Sequence, residues 1–281
     1  MSSIAYITDD KMLELHRLNN HTAMNFWRIS TNINFSDFDV GDLVFFLSKN
    51  KEHLKGKEKA IVGFGRLVSI NLSSVKTMWN TYGVLNGYNT LEEFKEAIIK
   101  VSKDKTLPKK ISSFYLEDVT FFQPIYLSEC GMKISTNVES YIYLKPEDVV
   151  ISLLELSKEN VDLWSSLDVD KINEEELLYS LNIAHKKIGD LKTNKKAYKV
   201  LKEYKENTKY EFIQNCKNEL YRINKNELKI VFYHDKDSDN KSLIGQAKLY
   251  KHYLDLYYPN ELEIKFYTSD NYEEINYLLN N

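Results

Sequence analysis

The sequence predicts a mixed α+β protein: an N-terminal, partly open β-barrel with covering helices, then a helical segment, then a small C-terminal α/β unit. Three observations predict it. The first half carries long apolar strands bent by glycines, with helices between them. From about Val149 helical patterns dominate. The last fifty residues then alternate strand, helix, strand, helix, the order of an α/β unit.

Taken in order, Ile4 to Thr8 reads as a short strand. Asp9-Asp10 before Lys11 to Leu18 reads as an acidic N-cap opening a helix. Asn25 to Ser30 is aromatic-rich extended chain, and Asp39-Val40-Gly41-Asp42 is a turn. Leu43 to Leu47 is an unbroken apolar run of strand length, so it expects burial on both faces. Ala60 to Ile70 is a second strand in which Gly63 and Gly65 share one face and strip it of side chains. Helices follow over Ser73 to Tyr82 and Thr90 to Val101, the second with a capping box from Thr90 to Glu93 and with Asn86-Gly87 as the turn before it. Phe114 to Leu127 returns to strand, ending near Pro124 at an edge or bulge, and Tyr141 to Leu144 is the last strand of this half. Pro146 suits the first turn of a helix running through Leu156. Beyond it, helical patterns extend from Val149 to Trp164, Asn173 to Asp190 and Lys195 to Arg222. Then come a strand at Leu228 to His234, a helix at Ser242 to Tyr257, a strand at Leu262 to Tyr267 and a helix at Tyr272 to Leu279. The expected domains are residues 1–150, a helical connector at 151–192, and a C-terminal unit at 193–281.

Composition bounds the function. A chain of 281 residues with 43% apolar side chains fills a packed core. No apolar run approaches the ~18 residues of a membrane span, and the mean hydropathy is −0.46. No membrane partner is expected. The start, Met1 to Tyr6, lacks an export signal, so a cytoplasmic protein is expected. Cys130 and Cys216 stand in unrelated contexts, which argues against a disulfide framework or a clustered thiolate metal site and for buried free thiols; no metal ligands are expected. The net charge of −3 has the wrong sign for a broad nucleic-acid-coating face, so any such contact must be local. Among many lysines stand only four arginines, Arg17, Arg28, Arg66 and Arg222. Arg28 and Arg66 therefore draw notice, because a guanidinium is the planar fork that reads phosphates and base edges.

Three separated segments carry a family resemblance. Phe35 to Leu47 followed by Ala60 to Val68 resembles the PUA-like superfamily, especially its EVE branch, in which a Gly-Asp-apolar-Phe strand precedes an Ile-Val-Gly strand. Asn25-Phe26-Trp27-Arg28-Ile29-Ser30, with Met78 to Gly87 and Leu91 to Phe94, resembles the N-terminal region of putative restriction endonucleases that carry a C-terminal HNH nuclease. The resemblance covers residues 4–127. It implies a reader that holds a modified or flipped base, most naturally in double-stranded DNA and in restriction or phage-defence biology, within an aromatic cleft beside the barrel. Phe26, Trp27, Trp79, Tyr82 and Tyr88 are the stacking candidates; Arg28, Ser30, Asn32, Arg66 and Asn86 are candidates for the base edge or phosphate. Taken singly, Trp27 and Trp79 suit a barrel plug as well as a platform. The lysine-rich runs Lys49 to Lys59 and Lys103 to Lys110 are placed for phosphates, or are simply solvated loops.

The second half does not match HNH chemistry. His185, His234 and His252 lack the paired-histidine setting, and no Cys-x-x-Cys pair is present. A restriction-type alternative is Glu263-Ile264-Lys265, which with Asp235 or Asp237 would form a magnesium-dependent nuclease site. The acidic run Asp235 to Asn240 fails as a calcium loop, since Asn240 and Gln246 stand where Gly and Glu belong, and reads as a strand-to-helix turn. No resident cofactor is expected, except Mg2+ if the nuclease reading holds. A protein partner, a homodimer and a barrel that binds a free nucleotide stay open as alternatives.

Overall fold

In a computed structural model, the described residues are 3–49, 54–55, 58–132, 138, 140–159, 169–191, 195–258 and 260–281. They fall into two compact units, Met1–Asp168 and Val169–Asn281.

The first unit is built on one six-stranded sheet. Its strands are β1 (Ile4–Thr8), β2 (Met24–Arg28), β3 (Leu43–Ser48), β6 (Ile61–Ser73), β7 (Ile111–Ile125) and β8 (Tyr141–Tyr143), in the order β2-β7-β6-β3-β1-β8; β4 (Leu54–Lys55) and β5 (Glu58–Lys59) form a separate small hairpin. Every pairing in the large sheet is antiparallel except β1 with β3. Every residue of β3 is buried, as its unbroken apolar run predicts: Phe46 packs on Phe26 and Phe121, and Phe45 packs on Phe64.

The paired glycines of β6 serve this curvature. The β6–β7 register shifts on either side of Gly63 and Phe64, and a Cβ on Gly63 would lie 2.5 Å from Thr120 O. The bare face is thus occupied by the neighbouring strand, where close backbone approach bends the sheet. Phe26 on β2 meets Tyr6 on β1 at 5.0 Å between ring centroids, although four strand positions separate them in the sheet order. The sheet therefore curls until side chains of β1 and β2 meet across its inner face.

Four α-helices of the described residues accompany this sheet. In α1 (Asp10–Leu18), Asp9 caps the N-terminus by accepting from Lys11 N, and Met12, Leu13 and His16 face inward. Helix α2 (Val75–Tyr82) is capped by Ser74 and α3 (Leu91–Val101) by Thr90, the capping-box residue read from the sequence. Between them Gly87 holds φ 84°, and a Cβ there would lie 2.2 Å from Met12 Cγ, so no other residue fits. A fourth helix, α4 (Asp148–Glu159), packs on β7 and belongs to this unit.

His16 gives the first unit a pH signature. It is fully buried, with Nδ1 3.0 Å from His21 Nδ1, and burial followed by repulsion from His21 lowers its pKa to about 3. The unfolded chain takes up this proton near pH 6.5 and the folded chain does not, so stability is full above that pH and is lost as pH falls towards 3. At pH 5 the loss relative to pH 7 is about 2 kcal/mol. Urea unfolding followed by tryptophan fluorescence should show this drop, and His16→Leu should reduce it by that amount. An identical pH profile in the variant would refute it.

The second unit carries a four-stranded sheet in the order β12-β11-β10-β9, from β9 (Glu211–Phe212), β10 (Glu219–Asn224), β11 (Glu227–Phe232) and β12 (Glu263–Thr268). The first three pair antiparallel, and β12 joins β11 in parallel after a crossover through α7 (Asn240–Tyr257). Helix α5 (Val169–Ile188), α7 and α8 (Glu273–Asn280) bury the face bearing Leu228, Ile230, Phe232 and Phe266, while Leu201 of α6 (Lys195–Glu206) meets Leu220 and Val231 on the other.

Two expectations are corrected. The helix expected from Lys195 to Arg222 ends at Glu206, and residues 219–224 form a strand paired with β11. Lys and Glu spacing mimicked an exposed helix there, whereas the hairpin is held by burying Leu220 on α6. The expected connector at 151–192 is not one piece: α4 packs in the first unit and α5 in the second. The remainder of the helical pattern expected through Trp164 lies outside the described residues.

Candidate nucleic-acid interface

Alternation along β2 decides what the aromatic segment can do. Met24, Phe26 and Arg28 point to one face, Asn25 and Trp27 to the other. On the inner face Phe26 stacks against Phe46 and Phe114 at 6.3 and 6.1 Å. Arg28, one step nearer the rim, is 5% exposed, with its guanidinium carbon 4.3 Å from the Phe114 ring centre, 5.0 Å from Phe35 and 5.9 Å from Tyr6. Its Nη2 donates to Asn32 O and, at 2.8 Å, to Ser112 Oγ, while Nε is buried without a hydrogen-bond partner. Burial lowers its pKa, with the Tyr6 and Tyr141 hydroxyls opposing. It is held by the Asn32 carbonyl and by hydroxyls of Ser112 and Tyr6, and among the described residues no carboxylate pairs with it. A buried cation without an anion is costly, offset here in part by three ring faces.

Beside it stand rings that remain partly open to solvent. Tyr6 and Tyr141 are register partners across β1 and β8 and stack at 5.6 Å; Phe35 lies 5.7 Å and Tyr143 5.6 Å from Tyr141. The segment bearing Phe35 is fastened to β8 by Ser36 with Tyr143 (3.4 Å) and by Lys145 with Asp37 (2.9 Å). Exposed Ser30 and Asn32 lie just past Arg28, with Ser30 O accepting from Ser112 N and Oγ. Ser112 is the second residue of β7, two after Lys110, so the exposed run Lys103 to Lys110 ends at this same rim.

The other predicted residues lie elsewhere. Trp27, Trp79 and Tyr88 do come together, but around Phe94, a fully buried ring of α3 that fills the space among them at 5.7 to 5.9 Å. Trp27 Nε1 and Tyr88 Oη are buried there without hydrogen-bond partners, and burial raises the Tyr88 pKa. Asn86 is fully buried and fixes this cluster to β2 by accepting from Asn25 Nδ2 at 2.8 Å. Tyr82 stacks on Tyr115 and hydrogen-bonds Asn71, and Arg66 donates to Gly41 O at 2.7 Å, holding the turn before β3. The single cup expected from ten residues is therefore corrected: Phe26, Arg28, Ser30 and Asn32 share one locus and Trp27, Trp79, Asn86 and Tyr88 another. Tyr6, Phe35, Phe114, Tyr141 and Tyr143 were missed; the period-two spacing of Tyr141 and Tyr143 was the available signal. Much of the run Lys49 to Lys59 lies outside the described residues.

The nuclease constellation does not assemble. Glu263 and Lys265 open β12 beside Glu227 and Lys229, whereas Asp235 and Asp237 follow the far end of β11 at the Phe232–Thr268 pair. Those five steps of ladder alone exceed about 15 Å. Lys265 is instead bound to Glu263 and Glu227 at 2.8 and 2.9 Å, which raises its pKa. Asp235 accepts from Tyr233 Oη and Asp239 caps α7, so this stretch is the strand-to-helix turn that its sequence implied.

No family model matches the sequence, and no curated protein matches it. Crystal structures of ASCH from Zymomonas mobilis resemble it. One mutant of that protein is 15% identical, covering 56% of this chain and 99% of that one at a TM-score of 0.39. A second mutant is 14% identical, covering 55% and 96% at 0.40, and the unmutated protein 15%, covering 54% and 94% at 0.38. A likeness at this level says nothing of ligand or activity. Among the described residues, no helix is long and apolar enough to cross a membrane.

Proposed function

We propose that the first unit binds nucleic acid by receiving one unstacked base against Tyr6, Phe35, Tyr141 and Tyr143, with Arg28 behind it. The supporting observation is Arg28: a buried cation without a carboxylate partner among the described residues, ringed by aromatics and backed by a serine hydroxyl, is suited to the oxygen- and nitrogen-rich edge of a base or to its phosphate. Aromatic rings satisfy the flat faces of the base at ~1–3 kcal/mol per base. Lys103, Lys109 and Lys110 at the rim supply local cations, consistent with a chain whose overall charge is negative. The finer reading, from the sequence resemblance, is a modified base in double-stranded DNA, in restriction or phage-defence biology.

A panel of plain, methylated and hydroxymethylated oligonucleotides, single- and double-stranded, tests this. Tyr141→Ala should weaken the preferred member about 10-fold or more. Lys109→Gln with Lys110→Gln should lower the salt slope by roughly two while leaving the preference among sequences intact. Equal affinity for a mononucleotide and every oligonucleotide, insensitive to salt, would refute the nucleic-acid reading.

A further inference from the structure

A polar cluster is buried in the second unit, between the sheet and the layer formed by α5 and α7. Glu219 on β10 is fully buried on a face otherwise formed by Leu228, Ile230, Phe232 and Phe266. Its carboxylate accepts from Tyr250 Oη and, at 3.0 Å, from Gln246 Nε2, both on α7. His185 on α5 places Nδ1 2.5 Å from Tyr250 Oη and 3.4 Å from Glu219 Oε2. Tyr250 gives its proton to Glu219 and its oxygen accepts from His185 Nδ1–H, so Nε2 is the ring nitrogen that faces Asp190 Oδ1, at 3.1 Å. A proton on Nε2, or a metal ion in its place, joins that nitrogen to the carboxylate. The ligating atoms of His185, Asp190 and Cys216 all lie within 4.8 Å of one another.

A separate observation concerns Asn218. This residue is 4% exposed; its N–H donates to Cys216 Sγ at 3.4 Å and its Nδ2 to Leu191 O at 2.9 Å, yet its Oδ1 is buried with no hydrogen-bond partner among the described residues. Asn218 also lines a cavity of about 400 Å3 with Leu191 and Tyr233.

We infer that His185 Nε2, Asp190 and Cys216 Sγ bind one zinc-type divalent cation, with Asn218 Oδ1 as the fourth donor. Zinc bonds of ~2.0–2.3 Å place tetrahedral ligands about 3.3–3.8 Å apart, so the histidine–aspartate spacing nearly fits and exposed Asp190 can supply the remaining closure. The mixed nitrogen, sulfur and oxygen set suits zinc and cobalt, whereas magnesium and calcium require oxygen donors. Glu219, acting through Tyr250, fixes the histidine tautomer as an outer-shell carboxylate does in zinc sites. On binding, the Cys216 thiol releases its proton to solvent.

Full-length protein stripped with a chelator and titrated with Co2+ should bind one ion per chain. It should develop tetrahedral d–d bands and a thiolate-to-cobalt charge-transfer band that added Zn2+ bleaches. Cys216→Ser should abolish the charge-transfer band. Asp190→Asn, at an exposed position that does not threaten folding, should weaken Zn2+ at least about 10-fold, and Glu219→Gln should weaken it about 10–100-fold. No charge-transfer band at saturating Co2+, a band that survives Cys216→Ser, or unchanged Zn2+ affinity in Asp190→Asn would each overturn the site.

Discussion

Arg28→Met should reduce nucleic-acid affinity by about 100-fold or more while leaving the unfolding free energy within about 1 kcal/mol of the parent protein. The two effects separate because the guanidinium does different things in the two states. In the free protein it is a desolvated charge without a carboxylate, compensated by the faces of Phe114, Phe35 and Tyr6 and by bonds to Asn32 O and Ser112 Oγ. Methionine fills the same apolar channel, keeps contact with the rings and removes the desolvation cost, at the loss of those hydrogen bonds. In the complex the cation meets an electronegative base edge or a phosphate, where truncating a buried, hydrogen-bonded charge costs ~2–5 kcal/mol. Arg28→Lys should fall between, since an ammonium keeps the charge and loses the planar fork. Binding titrations beside urea unfolding decide it, and Trp27 and Trp79 report directly on the first unit. Unaltered affinity in a folded Arg28→Met protein would remove this residue, and with it the rings of Tyr6, Phe35 and Tyr141 around it, from the interface.

Glu219→Ala should destabilise the second unit by about 3–5 kcal/mol in chelator-treated protein. The substitution leaves Tyr250 Oη and Gln246 Nε2 without their acceptor and deprives His185 of its carboxylate, all inside an apolar layer. Glu219→Gln should cost less, because one acceptor oxygen stays in place. Hydrogen exchange localised to residues 169–281 is the suitable measurement, since all three tryptophans, Trp27, Trp79 and Trp164, lie outside that unit. Faster exchange should spread through β10, β11 and α7 rather than stay at the mutated residue. A change below about 1 kcal/mol would mean that the four side chains do not act as one network.

The local signals in the chain were readable because each has a short-range cause. Asp9 and Thr90 cap the helices they precede, β3 is buried on both faces, and the acidic stretch after Tyr233 turns into a helix. Residues 211–224 were not readable in the same way. Their charges suit a helix surface, and only the burial of Leu220 on α6 favours a strand. Glu263-Ile264-Lys265 looked like a catalytic run for a related reason: the partner of Lys265, Glu227, arrives from a strand more than thirty residues away.

By itself the sequence determined the mixed α+β class, the order of most elements, the face on which each β2 side chain lies and the prominence of Arg28 among few arginines. Only the tertiary structure decided which faces meet. Curling of the six-stranded sheet brings Tyr6 against Phe26 and Arg28, the β1–β8 register sets Tyr141 on Tyr6, and helix α3 drives Phe94 between the two tryptophans. The reason is physical: side-chain alternation is a property of neighbouring residues, whereas closure of a sheet and the pairing of buried charges depend on contacts between residues distant in the chain.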